Sequence, residues 1–258
     1  MTFETIKTTE TFDGEVIELV LNMPPANILS AAMMGEISEF LRQQRDNGKL
    51  KLVIIKGEGD NFSFGASVEE HTADKVKNML PGFHRMIGEI LEYPVPTLAQ
   101  VTGYCLGGGF ELALACSFIA ADEKAKFSVP EIQLGVFPPV AAALLPNLSC
   151  GATAARMLLT GATMKAEELE RAGVVAFVAD EDELQTTVDE FIEKVIKPKS
   201  ASSLRFAHRA ARMSIVRQYR SLITDLERLY LDELMMTRDA NEGIQSFIEK
   251  RRPAWTNN

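Results

Sequence analysis

Glu111 stands two residues after the glycine run Gly107-Gly108-Gly109 in "GYCLGGGFELALAC", and Glu131 follows twenty residues later in "FSVPEIQLGVFPP". Glycines between an apolar strand and a helix leave amide donors without intrahelical partners at the positive end of the helix dipole. They also let a ligand approach the backbone closely. Phosphate binding is one use of such donors, but the run matches neither GxGxxG nor GxxxxGK[ST]. Two uses remain open: tight helix–strand packing, or an oxyanion hole for a developing enolate. Two carboxyls beside such donors form a possible acid/base pair. Pro130 before Glu131 and Pro138-Pro139 after it predict a rigid, irregular segment around the second acid.

The elements that must hold these groups can be read from periodicity. "VIELVLN" (16–22) and "KLVIIKG" (51–57) are β-rich runs, the second apolar enough to be buried on both faces. Between them Met33, Met34, Ile37, Phe40 and Leu41 recur at helical spacing behind Ser30, a plausible N-cap. "SVEEHTADKVKNMLPGFHRMIGEILE" is helical in character, with a break expected near Pro81-Gly82. "TLAQVTGYCLGG" is another buried strand, "GGFELALAC" a helix, and "FIAADEKAKFSVPEIQLG" a set of short strands and turns. The alternation predicts an α/β fold. From about 183 onward strand signals cease, and Pro198, Ser200, Ser202 and Ser203 suggest a boundary. The expected organisation is an α/β body at 1–197 and a helical module at 198–258.

Composition narrows the function classes. The chain has 258 residues, 46% hydrophobic and 24% charged, as in ordinary soluble globular proteins. No apolar run is long enough to span a membrane, and the N-terminal stretch lacks the pattern of a signal peptide. Cys105, Cys116 and Cys150 form no CxxC pair and read as reduced thiols of a cytoplasmic protein. A net charge of −9 argues against nucleic acid as the main partner. Residues 196–258 nevertheless carry 12 Lys+Arg against 7 Asp+Glu, a balance of +5 against −14 for the remainder. The basic segment is expected to pair with the acidic body or to meet an anionic ligand.

The stretch from Gly103 to Gly135, with "LLTGATMKAEELERAGVV" downstream and "NFSFGASVEEH" and "PPANILS" upstream, resembles the crotonase (enoyl-CoA hydratase/isomerase) superfamily over essentially the whole chain. The resemblance implies a spiral of ββα turns with a helical C-terminal trimerisation module, trimers often pairing into hexamers. It implies that the Ala66 and Gly108 amides hold a thioester oxygen and that Glu111 and Glu131 are the catalytic carboxyls. Pro25, Ala26 and Asn27 fall on the segment that contacts CoA. Phe64, Gly65, Ser67, Val68, Gly107, Phe83, His84, Pro130 and Phe137 are implied to bind substrate or CoA, and His71 and Met79 lie on the same pocket border. The "KRRPAW" end could lie near CoA phosphates. No metal and no cofactor is expected; CoA arrives as part of the substrate.

Keeping both carboxyls favours hydration over isomerisation, decarboxylation or thioester hydrolysis. General enoyl-CoA hydratases usually read Gly-Ala-Asp where this chain has Gly65-Ala66-Ser67. Their Pro-Gly-x-Gly-Gly-Thr-Gln-Arg stretch is replaced here by "FPPVAAALLP". These departures, with "MLPGFH", resemble the cyclohexa-1,5-diene-1-carbonyl-CoA hydratases of anaerobic benzoyl-CoA degradation, whose flat apolar ring suits a more apolar pocket. By that analogy Glu111 serves the attacking water and Glu131 delivers a proton, although the residues alone leave the two roles open. The competing expectations are hydration or isomerisation of linear 2-enoyl-CoA thioesters, and a non-catalytic scaffold. The acidic body and the paired glutamates count against the scaffold.

Overall fold

Strands β2 (Val16–Leu21) and β3 (Leu52–Gly57) pair in parallel within the chain's larger sheet. The computed structural model describes residues 3–258; Met1 and Thr2, the first residues of the stretch read for a leader, lie outside them. Strand β1 (Ile6–Thr11) forms an antiparallel edge on β2, while β4 (Thr97–Val101), β6 (Phe118–Asp122) and β9 (Phe177–Ala179) extend the sheet in parallel. The strand order is β1-β2-β3-β4-β6-β9. A second sheet, ordered β5-β7-β8, contains β5 (Tyr104–Leu106), β7 (Lys126–Ser128) and β8 (Met164–Lys165).

The chain passes from the larger sheet to the smaller one and then into a helix three times. β3 leads through Ser63, which bridges to Cys105, into α2 (Val76–Leu91). β4 and β5 lead into α3 (Gly108–Ala115). β6 and β7 lead through a 3-10 turn at Pro130–Leu134 into α4 (Pro139–Leu148). This is the ββα spiral implied by the resemblance. Parallel strands covered on both faces read as continuous apolar runs, and β4 is buried along its whole length. On one face lie α1 (Ala31–Gln44) and helices α2 to α4; on the other, Leu184, Val188, Ile192 and Ile196 cover Leu52, Ile54, Leu98 and Ala120.

The expected cap of α1 is present: Ser30 accepts the Met33 N–H, and the five predicted apolar residues are all buried. The break expected at Pro81-Gly82 does not occur, and α2 runs through both residues. A proline in a helix withholds one bond, here from the carbonyl of Lys77, an exposed residue that solvent can serve. The irregular segment expected around Glu131 also ends sooner than its prolines suggested, because Pro139 opens α4, a position where its missing N–H costs nothing. "TLAQVTGYCLGG" is two strands in different sheets, split by Gly103.

Beyond β9 the described chain forms no further strand and is helical up to Ile248, apart from short connections. Helices α5 (Gly151–Thr160) and α6 (Ala166–Arg171) precede it, and α7 (Leu184–Phe191), α8 (Ala201–Arg228) and α9 (Arg238–Ile248) follow. Among the described residues no helix is long and apolar enough to cross a membrane.

Candidate active site

The three glycines each answer to a different neighbour. Gly107 has a φ of +50°, and a Cβ there would lie 2.7 Å from Glu131 Oε1. A Cβ on Gly108 would lie 3.1 Å from the Ala66 nitrogen and 3.3 Å from the Phe83 ring. A Cβ on Gly109 would strike Ser63. Packing and chemistry therefore share the run: Gly109 brings α3 against its neighbour, while Gly107 and Gly108 keep side chains out of a cavity.

Ala66 and Gly108 meet because two turns are tied together. Gly65 has a φ of +95°, and its Cβ position lies 2.9 Å from the Gly108 nitrogen. Ser63 Oγ accepts the Gly65 N–H at 3.0 Å and donates to the Asn27 carbonyl at 2.8 Å; Leu106 N–H donates to the Ser63 carbonyl, and Leu29 N–H to Gly65. Gly107 spends its own N–H on the Ser128 carbonyl, whereas those of Ala66 and Gly108 donate to no acceptor among the described residues. Two neighbouring free amides, one at a helix N-terminus, form an anion-stabilising pair.

Both glutamates line the same cavity, of about 90 Å³, together with these amides. Glu111 is only 3% exposed. Its Oε1 accepts the Ala141 N–H at 2.8 Å, so a side chain from α3 caps the start of α4. Burial raises its pKa above the ordinary carboxylate range, while backbone N–H donors from Ala141 and Val140 oppose the rise. Glu131 is raised by burial and further by the Glu111 charge, and its Oε2 is buried without a partner. Two carboxyls so placed favour a state with one proton between them.

The structure sorts the other expected residues. Phe64, Val68, Phe83, Gly107, Pro130 and Phe137 line the cavity, as do His71 and Met79. The His71 ring is lowered in pKa by burial, and its Nδ1 donates to the Ser67 carbonyl at 2.8 Å. His84 is a correction: it is absent from the cavity lining, and its Nδ1 donates to Glu227 of α8 at 2.8 Å instead. Asn27 is another. Fully buried, its side chain accepts the Met23 N–H and donates to the carbonyls of Glu58 and Asn61, so it braces the segment leading to Ala66 and has no surface for CoA. Pro25, Ala26, Gly65 and Ser67 do not line the cavity either; Ala26 supports it through the Phe64 N–H. In the C-terminal tail Arg251 is paired with Glu242 and Glu249.

Several contributors went unforeseen, Leu134 and Val136 of the cavity lining among them. The α4 N-terminus holds Glu111, and only the Pro138-Pro139 pair hinted at a helix start there. Tyr230 and Ile244 reach the cavity from the C-terminal helices, across a sequence separation that no local pattern discloses.

A profile of the enoyl-CoA hydratase/isomerase family matches residues 11–258. The chain is 41% identical over 247 residues to a cyclohexa-1,5-dienecarbonyl-CoA hydratase of Thauera aromatica, covering 95% of this chain and 94% of that one. It is 34% identical to a carnitinyl-CoA dehydratase of Salmonella typhimurium over 254 residues, covering 95% and 96%. A crystal structure of an enoyl-CoA hydratase from Mycobacterium avium subsp. paratuberculosis superposes with a TM-score of 0.86 at 24% identity, covering 99% and 100%.

Proposed function

The chain belongs to the enoyl-CoA hydratase/isomerase family, and from that premise we propose that it adds water in a 1,4 sense to cyclohexa-1,5-diene-1-carbonyl-CoA, giving 6-hydroxycyclohex-1-ene-1-carbonyl-CoA in anaerobic aromatic degradation. A crotonase-type hydro-lyase is the coarser assignment, and its relatives are hydratases and dehydratases. The observation that carries the proposal is the meeting of a buried carboxyl, a second with its Oε2 buried, and two unpaired amides on one apolar cavity.

The Ala66 and Gly108 amides hold the thioester oxygen, where negative charge develops as water attacks the ring carbon β to the carbonyl. Glu111 takes the proton of that water. Its position at the start of α4 supports the role, because N–H donors and the helix dipole favour the ionised form. Glu131 has only its own backbone N–H as a donor, against two from α4 for Glu111, and faces the Glu111 charge, so it holds its proton and delivers it to the far end of the diene as the enolate collapses. The carboxyls finish with their proton states exchanged, and exchange with solvent resets them. No cofactor beyond the CoA of the substrate enters.

Met79, Leu80, Phe83, Val136 and Phe137 make the acyl walls apolar, which suits a flat ring. Assay of cyclohexa-1,5-diene-1-carbonyl-CoA beside crotonyl-CoA tests the choice. Faster turnover of the cyclic diene is expected; comparable or faster turnover of crotonyl-CoA would assign the enzyme to linear substrates. The proposal includes an oligomerisation module at 198–258, forming a homotrimer or a dimer of trimers, and a cytoplasmic setting in keeping with three free thiols.

A further inference from the structure

Tyr230 lies in the π-helical turn Leu229–Glu233 that follows α8, and its ring packs edge-on against Phe137 with centroids 5.5 Å apart. It lines the cavity that holds Glu111 and Glu131. Its hydroxyl and Glu131 Oε2 are both buried, and neither has a hydrogen-bond partner. Burying a hydroxyl unpaired costs free energy, and buried polar atoms are as a rule satisfied. Two such orphans on one small cavity mark a place completed by an oxygen that is not protein. Burial, then the Glu131 charge, then that of Glu111 push the phenol well above its ordinary range, so it keeps its proton and acts as a donor.

We propose that Tyr230 donates a hydrogen bond to the reacting water, which it holds between its hydroxyl and the two glutamates. The inference rests on the hydratase function above. One hydrogen of this water goes to Glu111 and the other to Glu131 Oε2, which leaves the acid proton of Glu131 to Oε1. The Tyr230 O–H occupies one lone pair. A single lone pair remains, and it is the one that attacks the ring carbon. The water O–H bond breaks with its proton passing to Glu111, the C–O bond forms, and the Glu131 proton passes to the distal carbon. Tyr230 keeps its own proton throughout. In the dehydration direction the same O–H supports the departing oxygen.

Tyr230→Phe removes only the hydroxyl and keeps the ring against Phe137. The expected kcat falls about tenfold to a hundredfold, the effect of losing one hydrogen bond to a reacting or charged group. KM stays unchanged, because the grip on CoA and on the thioester oxygen is untouched. The melting temperature stays equal or rises, since an unpaired buried hydroxyl has gone. Unchanged kcat and pH profile would overturn the proposal. So would a lowered melting temperature with kcat and KM worsening together, which would make the hydroxyl structural. If the wild type turns over neither thioester, the hydratase function fails on its own, and a crystal structure resolving waters decides Tyr230 separately. A water within hydrogen-bond reach of both Tyr230 Oη and Glu131 Oε2, lost in Tyr230→Phe, would support it; no water there in the wild type would overturn it.

Discussion

Glu111 is fully buried and Glu131 partly so, and they differ in their backbone donors, the difference on which the proposed division of tasks rests. Replacing Glu131 with Gln keeps the shape and removes the transferable proton, so kcat is expected to fall by about 10²–10⁴ with little change in KM. A variant that retains full hydratase activity would refute the pair. The same raised pKa values predict a stability effect. In the unfolded chain both groups titrate near 4.5; in the folded chain Glu111 is pushed up to about 7 and Glu131 to about 8. The folded state therefore binds more protons between those limits. The stabilising difference is fully present below the unfolded value and is lost as pH rises through the folded ones. Wild-type melting temperature should decline across this window. Glu131→Gln, which cannot ionise, should flatten the decline and exceed the wild type at its alkaline end, as pH-dependent thermal melts would show. Sequence located both acids, but their environments depend on Ala141 and on the cavity, which no spacing reveals.

Helix α3 is positioned at both ends. Its N-terminus supplies the Gly108 amide, and its last carbonyls, Ala115 and Cys116, accept from Arg212 of α8 at 2.6 and 3.0 Å. The basic segment thus meets backbone carbonyls as well as acids; Arg205 does the same at Arg45, and Arg220 pairs with Glu92. Arg212→Ala should destabilise the fold by about 1.5–3 kcal/mol in urea titrations, the range for hydrogen bonds to a charged group. Helix α9 steadies the other acid. A Cβ on Gly243 would collide with the Leu134 carbonyl in the turn that carries Glu131, and Trp255 closes over the same turn. Gly243→Ala should cost about 1–3 kcal/mol through overpacking and lower kcat, both measurable on one purified sample. The α1 cap and the β2 and β3 runs were legible because they depend on local patterning. The course of α2 through Pro81 was not, because tertiary burial of Val76, Met79, Leu80 and Phe83 outweighs one missing bond.

At the scale of the whole molecule, the α/β spiral could be read from alternating element types, and its family from motifs spread along the chain. The fold-back of the C-terminal helices onto the cavity could not, since Tyr230 and Ile244 are distant in sequence from every other lining residue. Phe206, Met213 and Phe247 remain exposed on α8 and α9, apolar surface of the kind that subunits cover in an oligomer. Light scattering at micromolar concentration should give three or six chains; a monomer would contradict the proposed oligomerisation module. The most direct test of the central claim is mass spectrometry of the product formed from cyclohexa-1,5-diene-1-carbonyl-CoA in ¹⁸O-enriched water. A hydratase working through the paired glutamates should incorporate one ¹⁸O, and Glu111→Gln should slow that incorporation by orders of magnitude. A product without ¹⁸O, or undiminished incorporation by Glu111→Gln, would contradict it.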